Sequence, residues 1–430
     1  MNNSFKIIAS LFLLTGFYAC QGNADNQLDK GIWRATLKTS SEAEIPFNFE
    51  VIDSADQKFL EVINGDERFR VNEISTESDS IFIQMPLFDS EIRGKIKNGS
   101  LNGQWIKHFA DSSEVMMIEA KKGYSWRFFK ANTKPEFIVT GRWSVNFQDA
   151  KTGKSIPAIG EFTQQNGRVL GTFLTSTGDY RFLEGTVSDD KLYLSCFDGS
   201  HAFLFTGKIL DNNTIVDGNF YSGFSSVQTW AAKRDEMAIL PDAYSITALK
   251  DGFDKIDFSF PDLNGKNVSL SDSKFRNKIV LVQFFGSWCP NCMDETAYLV
   301  PFYKKYQEKG LEIVALAYER STDFERSKRN ILRLRERFAV PYDMLITGYT
   351  NDKAQVAKSL PMLKSFNGFP TLIIIDKKGK VRKIHTGFSG PGTGIHYADF
   401  KKEFEIFLLR VLGNINKYKP CLIPARFVCL

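Results

Sequence analysis

Cys289 and Cys292 are the two residues of this 430-residue sequence whose type and spacing best support chemistry. They are separated by Pro290 and Asn291, so on a helix their sulfurs lie one turn apart and can close a disulfide. A thiolate at a helix N-terminus is stabilised by free backbone N–H groups and by the helix dipole. Cysteines in such motifs have pKa values of about 3.5 to 7.5, compared with about 8.5 for a free thiol. The motif therefore predicts thiol–disulfide exchange.

A zinc half-site is the alternative interpretation of two close cysteines. Zinc requires two further ligands at a matching spacing. The sequence has no second cysteine pair or histidine pair nearby, so we expect no metal at this site.

The flanking residues predict the elements that position the two sulfurs. Residues 279–285 form a near-continuous apolar run, which is typical of a strand buried on both faces. Gly286 and Ser287 interrupt it. Pro290 suits the first turn of a helix because its φ is fixed and it lacks an N–H group, and that helix is predicted to continue through Val300.

This arrangement resembles the active site of the thioredoxin superfamily, and in particular that of TlpA/ResA-like thiol-disulfide oxidoreductases of the bacterial envelope lipoprotein type. The resemblance spans residues 253–412. Phe369 and Pro370, directly before an apolar run, resemble the cis-proline loop that lies against the cysteine pair in this family. A trans proline at a strand start is the alternative. The resemblance implies that Cys289 and Cys292 are catalytic and that Trp288, Pro290, Phe369 and Pro370 bind substrate.

The resemblance also identifies one departure and one candidate proton acceptor. Thioredoxins carry a buried aspartate six residues before the first cysteine, and this sequence has Gln283 there, which cannot accept the proton. ResA-like proteins carry a glutamate three residues after the second cysteine, and Glu295 matches it. A carboxylate buried beside two sulfurs would have a raised pKa and could exchange protons with them. The alternative is an exposed helical glutamate paired with a Lys or Arg.

The resemblance further implies the partners. They are oxidised proteins of the envelope, with apocytochromes as one candidate, and a membrane electron donor of the thiol–disulfide type; no cofactor is implied. Known dithiol–disulfide pairs of this kind have reduction potentials of roughly −270 to −120 mV, a range that includes both reductants and oxidants. The direction of the reaction, reduction of the substrate, is therefore inferred from the resemblance alone.

The remainder of the C-terminal half alternates strand and helix patterns, as in a mixed sheet with helices on both faces. Its predicted elements are a hairpin at 258–270 turning at Asn264-Gly265, strands at 311–317, 342–346 and 381–385, and helices at 323–338, 352–358 and 398–412. The helix at 323–338 carries many arginines, either on a solvated face or on a docking surface for an acidic partner. The glycine-rich run 387–394 is predicted to be a loop and not a phosphate cradle.

The N-terminal half alternates short apolar runs with turn residues, as all-β domains do. It also repeats with a period of roughly a hundred residues: Gly31-Ile-Trp33 returns as Gly141-Arg-Trp143. The sequence thus predicts two similar antiparallel barrels or sandwiches before an α/β thioredoxin-like domain. No catalytic constellation is evident in these units. Cys196 is predicted to be a buried small apolar residue, and His108 and His201 to be ordinary surface or core histidines.

The N-terminus has the features of a targeting segment. A short apolar run follows Lys6 and ends at Ala19-Cys20, which resembles a lipoprotein signal with lipid on Cys20. A plain secretory signal is the alternative, and both place the mature chain in the cell envelope, on the periplasmic side. The predicted divisions are 1–19 signal peptide, 20–28 tether, 29–128 and 137–235 β units, 236–250 linker, 251–417 redox domain and 418–430 tail. Cys421 and Cys429 in that tail could pair with each other.

Two other functions remain open on the sequence. A peroxiredoxin-like peroxidase would want a threonine three residues before the reactive cysteine, where Gly286 stands. An envelope binding protein would use the β units, with the redox domain secondary. The formal net charge of +5 gives no reason to expect nucleic-acid binding.

Overall fold

The structure is a computed structural model that describes residues 27–54, 57–130, 134–149 and 152–413. The predicted signal peptide, the lipidation at Cys20 and the tail with Cys421 and Cys429 lie outside the described residues. Within the described ranges, no helix combines the length and the apolar character that a membrane crossing requires.

The first β unit is an antiparallel sheet of nine strands in the part of the chain that the structure describes, in the order β4-β3-β2-β1-β9-β8-β7-β6-β5. Inward-facing apolar residues alternate along the strands; Trp33 is fully buried and donates from Nε1 to the carbonyl of Asp29 at 2.9 Å. The strands are Gly31–Lys38 (β1), Glu44–Ser54 (β2), Gln57–Asn64 (β3), Glu67–Val71 (β4), Glu73–Glu77 (β5), Ser80–Gln84 (β6), Ser90–Lys97 (β7), Ser100–His108 (β8) and Ser113–Lys122 (β9).

The second β unit repeats this architecture and closes into a barrel through β11–β12 pairing. Trp143 repeats the role of Trp33: it is fully buried and donates from Nε1 to the carbonyl of Val139 at 2.9 Å. The predicted duplication is therefore confirmed. The strands are Gly141–Asp149 (β10), Ser155–Gln165 (β11), Arg168–Thr175 (β12), Gly178–Asp179 (β13), Leu183–Ser188 (β14), Lys191–Phe197 (β15), Ala202–Asp211 (β16), Thr214–Ser222 (β17) and Ser226–Arg234 (β18).

Cys196 lies on β15 and is fully buried, as predicted, and its thiol is free. His201, which the sequence left isolated, contacts a carboxylate: its Nδ1 lies 3.2 Å from Asp198 Oδ2. Asp198 is itself buried, so this histidine belongs to an ionic cluster beside the redox site.

The C-terminal domain is a mixed sheet in the order β24-β23-β22-β26-β27, with β22, β23 and β24 parallel and β26 and β27 antiparallel. Its strands are Ala248–Leu249 (β19), Ser259–Pro261 (β20), Asn267–Ser269 (β21), Ile279–Phe285 (β22), Leu311–Glu319 (β23), Asp343–Thr350 (β24), Leu363–Ser365 (β25), Thr371–Ile375 (β26) and Val381–Thr386 (β27). Its helices are Pro290–Tyr306 (α1), Phe324–Phe338 (α2), Lys353–Ser359 (α3) and Ile395–Val411 (α4), with 3-10 turns at Ser273–Phe275, Gln307–Lys309 and Pro391–Thr393.

Helices cover both faces of this sheet, as predicted. All seven residues of β22 are buried, because alternate side chains enter two different cores. Leu281 and Phe285 pack in one core with residues of α1, α2 and α4. Val282 and Phe284 pack in the other, with α3 and the β20–β21 hairpin. Strand β22 is therefore the rigid support from which the cysteine motif emerges.

Some element boundaries differ from the predictions. Strand β23 continues two residues past Ala317 because Tyr318 and Glu319 are also buried. Helix α4 begins at Ile395, three residues before the predicted start. The segment predicted as a linker packs on both sides: Ala238 contacts the second β unit, and β19 pairs with β25.

The arginine-rich face of α2 is partly solvated and partly a docking surface, and the surface that it docks on belongs to the same chain. Arg326 donates to Asp89 Oδ2 at 2.9 Å, and Arg337 donates to the carbonyl of Arg70 at 3.3 Å. Arg329 and Arg335 are exposed. Two of these arginines thus dock the redox domain on the first β unit.

Candidate redox site

Cys289 is the N-cap residue of α1, and Pro290 occupies the first helical position. The Sγ of Cys289 accepts a hydrogen bond from the backbone N–H of Cys292 at 3.2 Å. The two cysteines form a disulfide with their Cα atoms 5.3 Å apart. In the reduced protein the same N–H group and the positive end of the helix dipole favour the Cys289 thiolate.

The loop before the motif is fixed by the end of β23. Glu319 accepts from the backbone N–H and from the hydroxyl of Ser287, each at 2.7 Å, and Trp288 donates from Nε1 to the carbonyl of Tyr318 at 2.9 Å. Burial raises the pKa of Glu319. Glu319 was not among the predicted site residues, although its position at the end of a buried apolar strand is a local signal in the sequence.

Glu295 lies one turn beyond Cys292, on the buried face of α1, and is fully buried. Its Oε2 accepts from Gln283 Nε2 at 2.9 Å, and Gln283 Nε2 also lies 3.2 Å from Thr296 Oγ1. Oε1 has no hydrogen-bond partner among the described residues. Burial raises the pKa of Glu295 to about 8, and the bond from Gln283 opposes that shift only in part. The alternative of an exposed glutamate in a surface ion pair is therefore wrong.

The Phe369–Pro370 peptide bond is cis, as the family likeness implied. The ring of Phe369 meets the ring of Trp288 edge-on, with centroids 5.5 Å apart. The carbonyl of Pro370 accepts from the N–H of Gly387 at 2.8 Å. Trp288, Pro290, Phe369 and Pro370 are thus brought to one end of the sheet beside the disulfide, where the sequence analysis placed them.

The second β unit covers this end of the redox domain, which the sequence analysis did not anticipate. Asn291 donates from Nδ2 to the carbonyl of Asp179 at 3.2 Å, and Ser200 Oγ donates to the carbonyl of Trp288 at 3.1 Å. Arg181 forms an ion pair with Asp294, two residues after Cys292. In the folded chain only 6% of Cys289 is exposed.

Known proteins match the C-terminal part of the chain. The model of the AhpC/TSA family matches residues 253–384, which lie beyond both β units. The thiol-disulfide oxidoreductase ResA of Geobacillus thermodenitrificans (strain NG80-2) is 34% identical over 141 residues, covering 33% of this chain and 72% of that protein. The chain belongs to the ResA-like thiol-disulfide oxidoreductases. ResA of Bacillus cereus (strain ATCC 10987 / NRS 248) is 31% identical over 159 residues, covering 37% of this chain and 76% of its own.

A solved structure of a putative thiol:disulfide interchange protein DsbE from Chlorobium tepidum also matches this ResA-like chain. It is 25% identical with a TM-score of 0.30, and the match covers 39% of this chain and all (100%) of that one.

Two further features bear on the chemistry of this ResA-like site. A Cβ atom added at Gly286 would lie 2.0 Å from Trp288 Nε1, so a threonine cannot occupy this position without displacing the indole. Among the described residues, no cluster of three or more His, Cys, Asp or Glu side chains is arranged to hold a metal ion. The arrangement suits dithiol chemistry, in which one sulfur is presented at a helix N-terminus and a second lies behind it beside a buried carboxyl group.

Proposed function

We propose that this protein is an extracytoplasmic disulfide reductase that acts on oxidised cysteines of envelope proteins. The observation that carries the proposal is the position of Cys289 Sγ at the N-terminus of α1, bonded to Cys292 and accepting its backbone N–H. The buried carboxyl group of Glu295, one turn further along, supplies a proton acceptor behind the pair.

The reaction begins from the dithiol form. The Cys289 thiolate attacks one sulfur of the substrate disulfide, and the other substrate sulfur leaves as a thiolate. Cys292 then loses its proton to Glu295 and attacks Cys289 Sγ, which releases the second substrate sulfur as a thiolate. The substrate gains two electrons and the enzyme becomes the disulfide. A membrane donor of the thiol–disulfide type returns the two electrons.

Substrate binding is assigned to the aromatic and proline residues around the pair. The T-shaped contact between Trp288 and Phe369 forms an apolar wall beside the motif, and Pro370 directly follows Phe369. Pro290 begins the helix directly after the nucleophile. These residues favour a substrate in which an extended polypeptide segment flanks the disulfide that is to be reduced.

The cellular setting of the proposal rests on the first twenty residues. The apolar run that ends at Ala19-Cys20 supports export and a lipid anchor on Cys20, which would hold the redox domain near a membrane donor. Apocytochromes are a substrate class consistent with the family likeness, since their cysteines must be reduced before haem is attached.

A trapping experiment tests the function. Cys292→Ser in the full-length protein should stop the reaction at the mixed disulfide, so envelope proteins should be captured on Cys289 through a bond that dithiothreitol cleaves. Cys289→Ser/Cys292→Ser is the control and should capture nothing. The wild-type protein should also reduce glutathione disulfide. Efficient peroxide turnover without disulfide reduction would contradict the proposal and favour a peroxidase, against which the crowded Gly286 already argues.

A further inference from the structure

The hairpin tip that joins β12 to β14 lies directly on the residues between the two cysteines. We name residues 175–181 the covering loop. Asn291 Nδ2 donates to the carbonyl of Asp179 at 3.2 Å, and Arg181 Nη1 donates to the carbonyl of Pro290 at 3.3 Å. Gly178 approaches so closely that a Cβ atom there would lie 1.9 Å from Asn291 Nδ2. Both residues between the cysteines are therefore contacted by the second β unit.

The covering loop also contacts the surface beside the cis-proline. A Cβ atom added at Gly368 would lie 3.0 Å from Thr177 Cγ2, and one added at Gly387 would lie 2.8 Å from the carbonyl carbon of Thr177. Gly368 directly precedes Phe369 and Pro370, and Gly387 donates to the Pro370 carbonyl. The loop thus occupies the face to which the proposed function assigns the substrate segment.

Polar contacts hold the covering loop in place. Arg181 is 4% exposed and forms ion pairs with Asp294 of α1, with Glu67 of the first β unit and with Asp198 of the second. The N–H of Gly390 donates to Asp179 Oδ2 at 2.7 Å. One arginine thus ties all three units together at the redox site.

These polar contacts are of a kind that allows the covering loop to separate from the redox domain. A buried ion pair contributes little net stability, because the desolvation of both ions offsets their attraction. When the units part, water regains access to every one of these charged groups. Polar interfaces between domains of one chain commonly allow relative motion. The second β unit has an apolar core of its own, but its residues Phe197, Ala202 and Leu204 belong to the apolar cluster that the first β unit shares with the redox domain, so the polar part of the contact is the covering loop.

We propose that the covering loop is an intramolecular competitor of protein substrates, so that the second β unit must move away from the motif before a protein disulfide reaches Cys289. The proposal rests on the proposed function for the identity of the competing ligand, which is an extended cysteine-containing polypeptide segment. The apparent rate with a protein substrate is then the rate of the open form multiplied by the open fraction. A small reagent needs a smaller opening and is slowed less.

The first test uses alkylation of Cys289, which does not depend on enzymatic activity. The full-length Cys292→Ser protein is labelled with iodoacetamide or with a maleimide on a 5-kDa polyethylene glycol, and modification at Cys289 is followed by peptide mass spectrometry. Gly178→Ala is incompatible with the present contact between Gly178 and the Asn291 side chain, and it should raise the bulky-reagent rate at least tenfold and the iodoacetamide rate less than threefold.

Gly153→Ala is the matched control. Gly153 belongs to the same β unit and has a positive φ of 66°, but a Cβ atom there meets nothing within 4 Å. It should leave both rates unchanged. Arg181→Gln should act in the same direction as Gly178→Ala. Equal bulky-reagent rates in the Cys292→Ser protein and in its Gly178→Ala and Arg181→Gln derivatives would overturn the proposal.

A second measurement leaves the covering loop unmutated. Cys289 of the Cys292→Ser protein is converted to a mixed disulfide with a cysteine-containing peptide of about ten residues, or is capped with iodoacetamide. Amide hydrogen exchange at residues 175–181 should be faster in the peptide adduct than in the iodoacetamide-capped protein. Unchanged protection in that adduct would overturn the proposal. Failure to reduce any disulfide, including glutathione disulfide, would instead count against the proposed function. The alkylation and hydrogen-exchange measurements would still report on the covering loop in that case.

Discussion

Gln283 donates a 2.9 Å hydrogen bond from its side-chain amide to the carboxyl group of Glu295, and both side chains are fully buried. Gln283 occupies the position at which thioredoxins carry a buried acid. In this chain the buried carboxyl group nearest in sequence to the motif is on helix α1, and Gln283 on strand β22 is hydrogen-bonded to it. The pair places one buried carboxyl group one helical turn beyond Cys292.

Replacement of Glu295 by glutamine should slow the release of the mixed disulfide. Glu295 can accept a proton only when ionised, and burial raises its pKa to about 8, so the wild-type rate should rise with pH until about that value. Glu295→Gln removes this step. We expect a loss of at least about a hundredfold at pH 8, which is the low end of what a positioned base provides. Stopped-flow measurement of substrate release in single turnover checks it.

Glu308→Gln is the control for that experiment, since Glu308 is exposed in the 3-10 turn after α1. It should retain both the rate and the pH profile. A wild-type profile in Glu295→Gln would remove Glu295 from the mechanism.

The same carboxyl group should make the folded protein less stable as the pH rises. The pKa of Glu295 is about 8 in the folded protein, against the ordinary value of 4.5, so between these values the folded state holds a proton that the unfolded state has lost. Stability contributed by this group therefore falls with rising pH across that window, by on the order of 5 kcal/mol in total.

Glu295→Gln should flatten this dependence and should be more stable than wild type at pH 8, with a smaller difference at pH 5. Urea unfolding of the oxidised proteins at the two pH values measures it. Parallel curves for the two proteins at both pH values would show that Glu295 stays ionised in the folded state.

Gln283→Leu should shift the kinetic pH profile upward. The hydrogen bond from Gln283 lowers the pKa of Glu295, so its loss leaves burial unopposed and raises that pKa further. The midpoint of the release rate should move above its wild-type value. The double variant Gln283→Leu/Glu295→Gln should behave like Glu295→Gln alone, because the two residues act through one bond. A shift that survives in the Glu295→Gln background would mean that Gln283 acts elsewhere.

The sequence was sufficient for the local elements of the redox site and insufficient for what covers it. Strand β22 and the start of α1 were predicted to the residue, because an unbroken apolar run and a proline at the first helical position are local signals. The buried state of Glu295 followed from a family likeness. Arg181 and Asp179, which contact the motif from more than a hundred positions away, left no local signal. Gly387 and Gly392 were a partial signal of this contact. No nucleotide-binding motif explained these glycines, and both lie against the covering loop.

Glu319 should stabilise the loop that presents Cys289. Its carboxyl group accepts from the backbone N–H of Ser287, which is buried, so Glu319→Leu leaves that N–H group without its acceptor. An unsatisfied buried donor costs about 1–3 kcal/mol. Urea unfolding should therefore show Glu319→Leu to be less stable than wild type by about that amount.

Glu319→Gln is the matched variant for this prediction. Its side-chain oxygen can still accept from the Ser287 N–H, and the Ser287 hydroxyl can rotate to accept from the new amide. We expect Glu319→Gln to retain most of the stability and most of the reactivity of Cys289 toward iodoacetamide in the Cys292→Ser background. Glu319→Leu should lower that reactivity as well, because Ser287 and Trp288 then lose the fixed backbone that leads into the motif. Wild-type stability in Glu319→Leu would show that the Glu319 carboxyl group does not hold this loop.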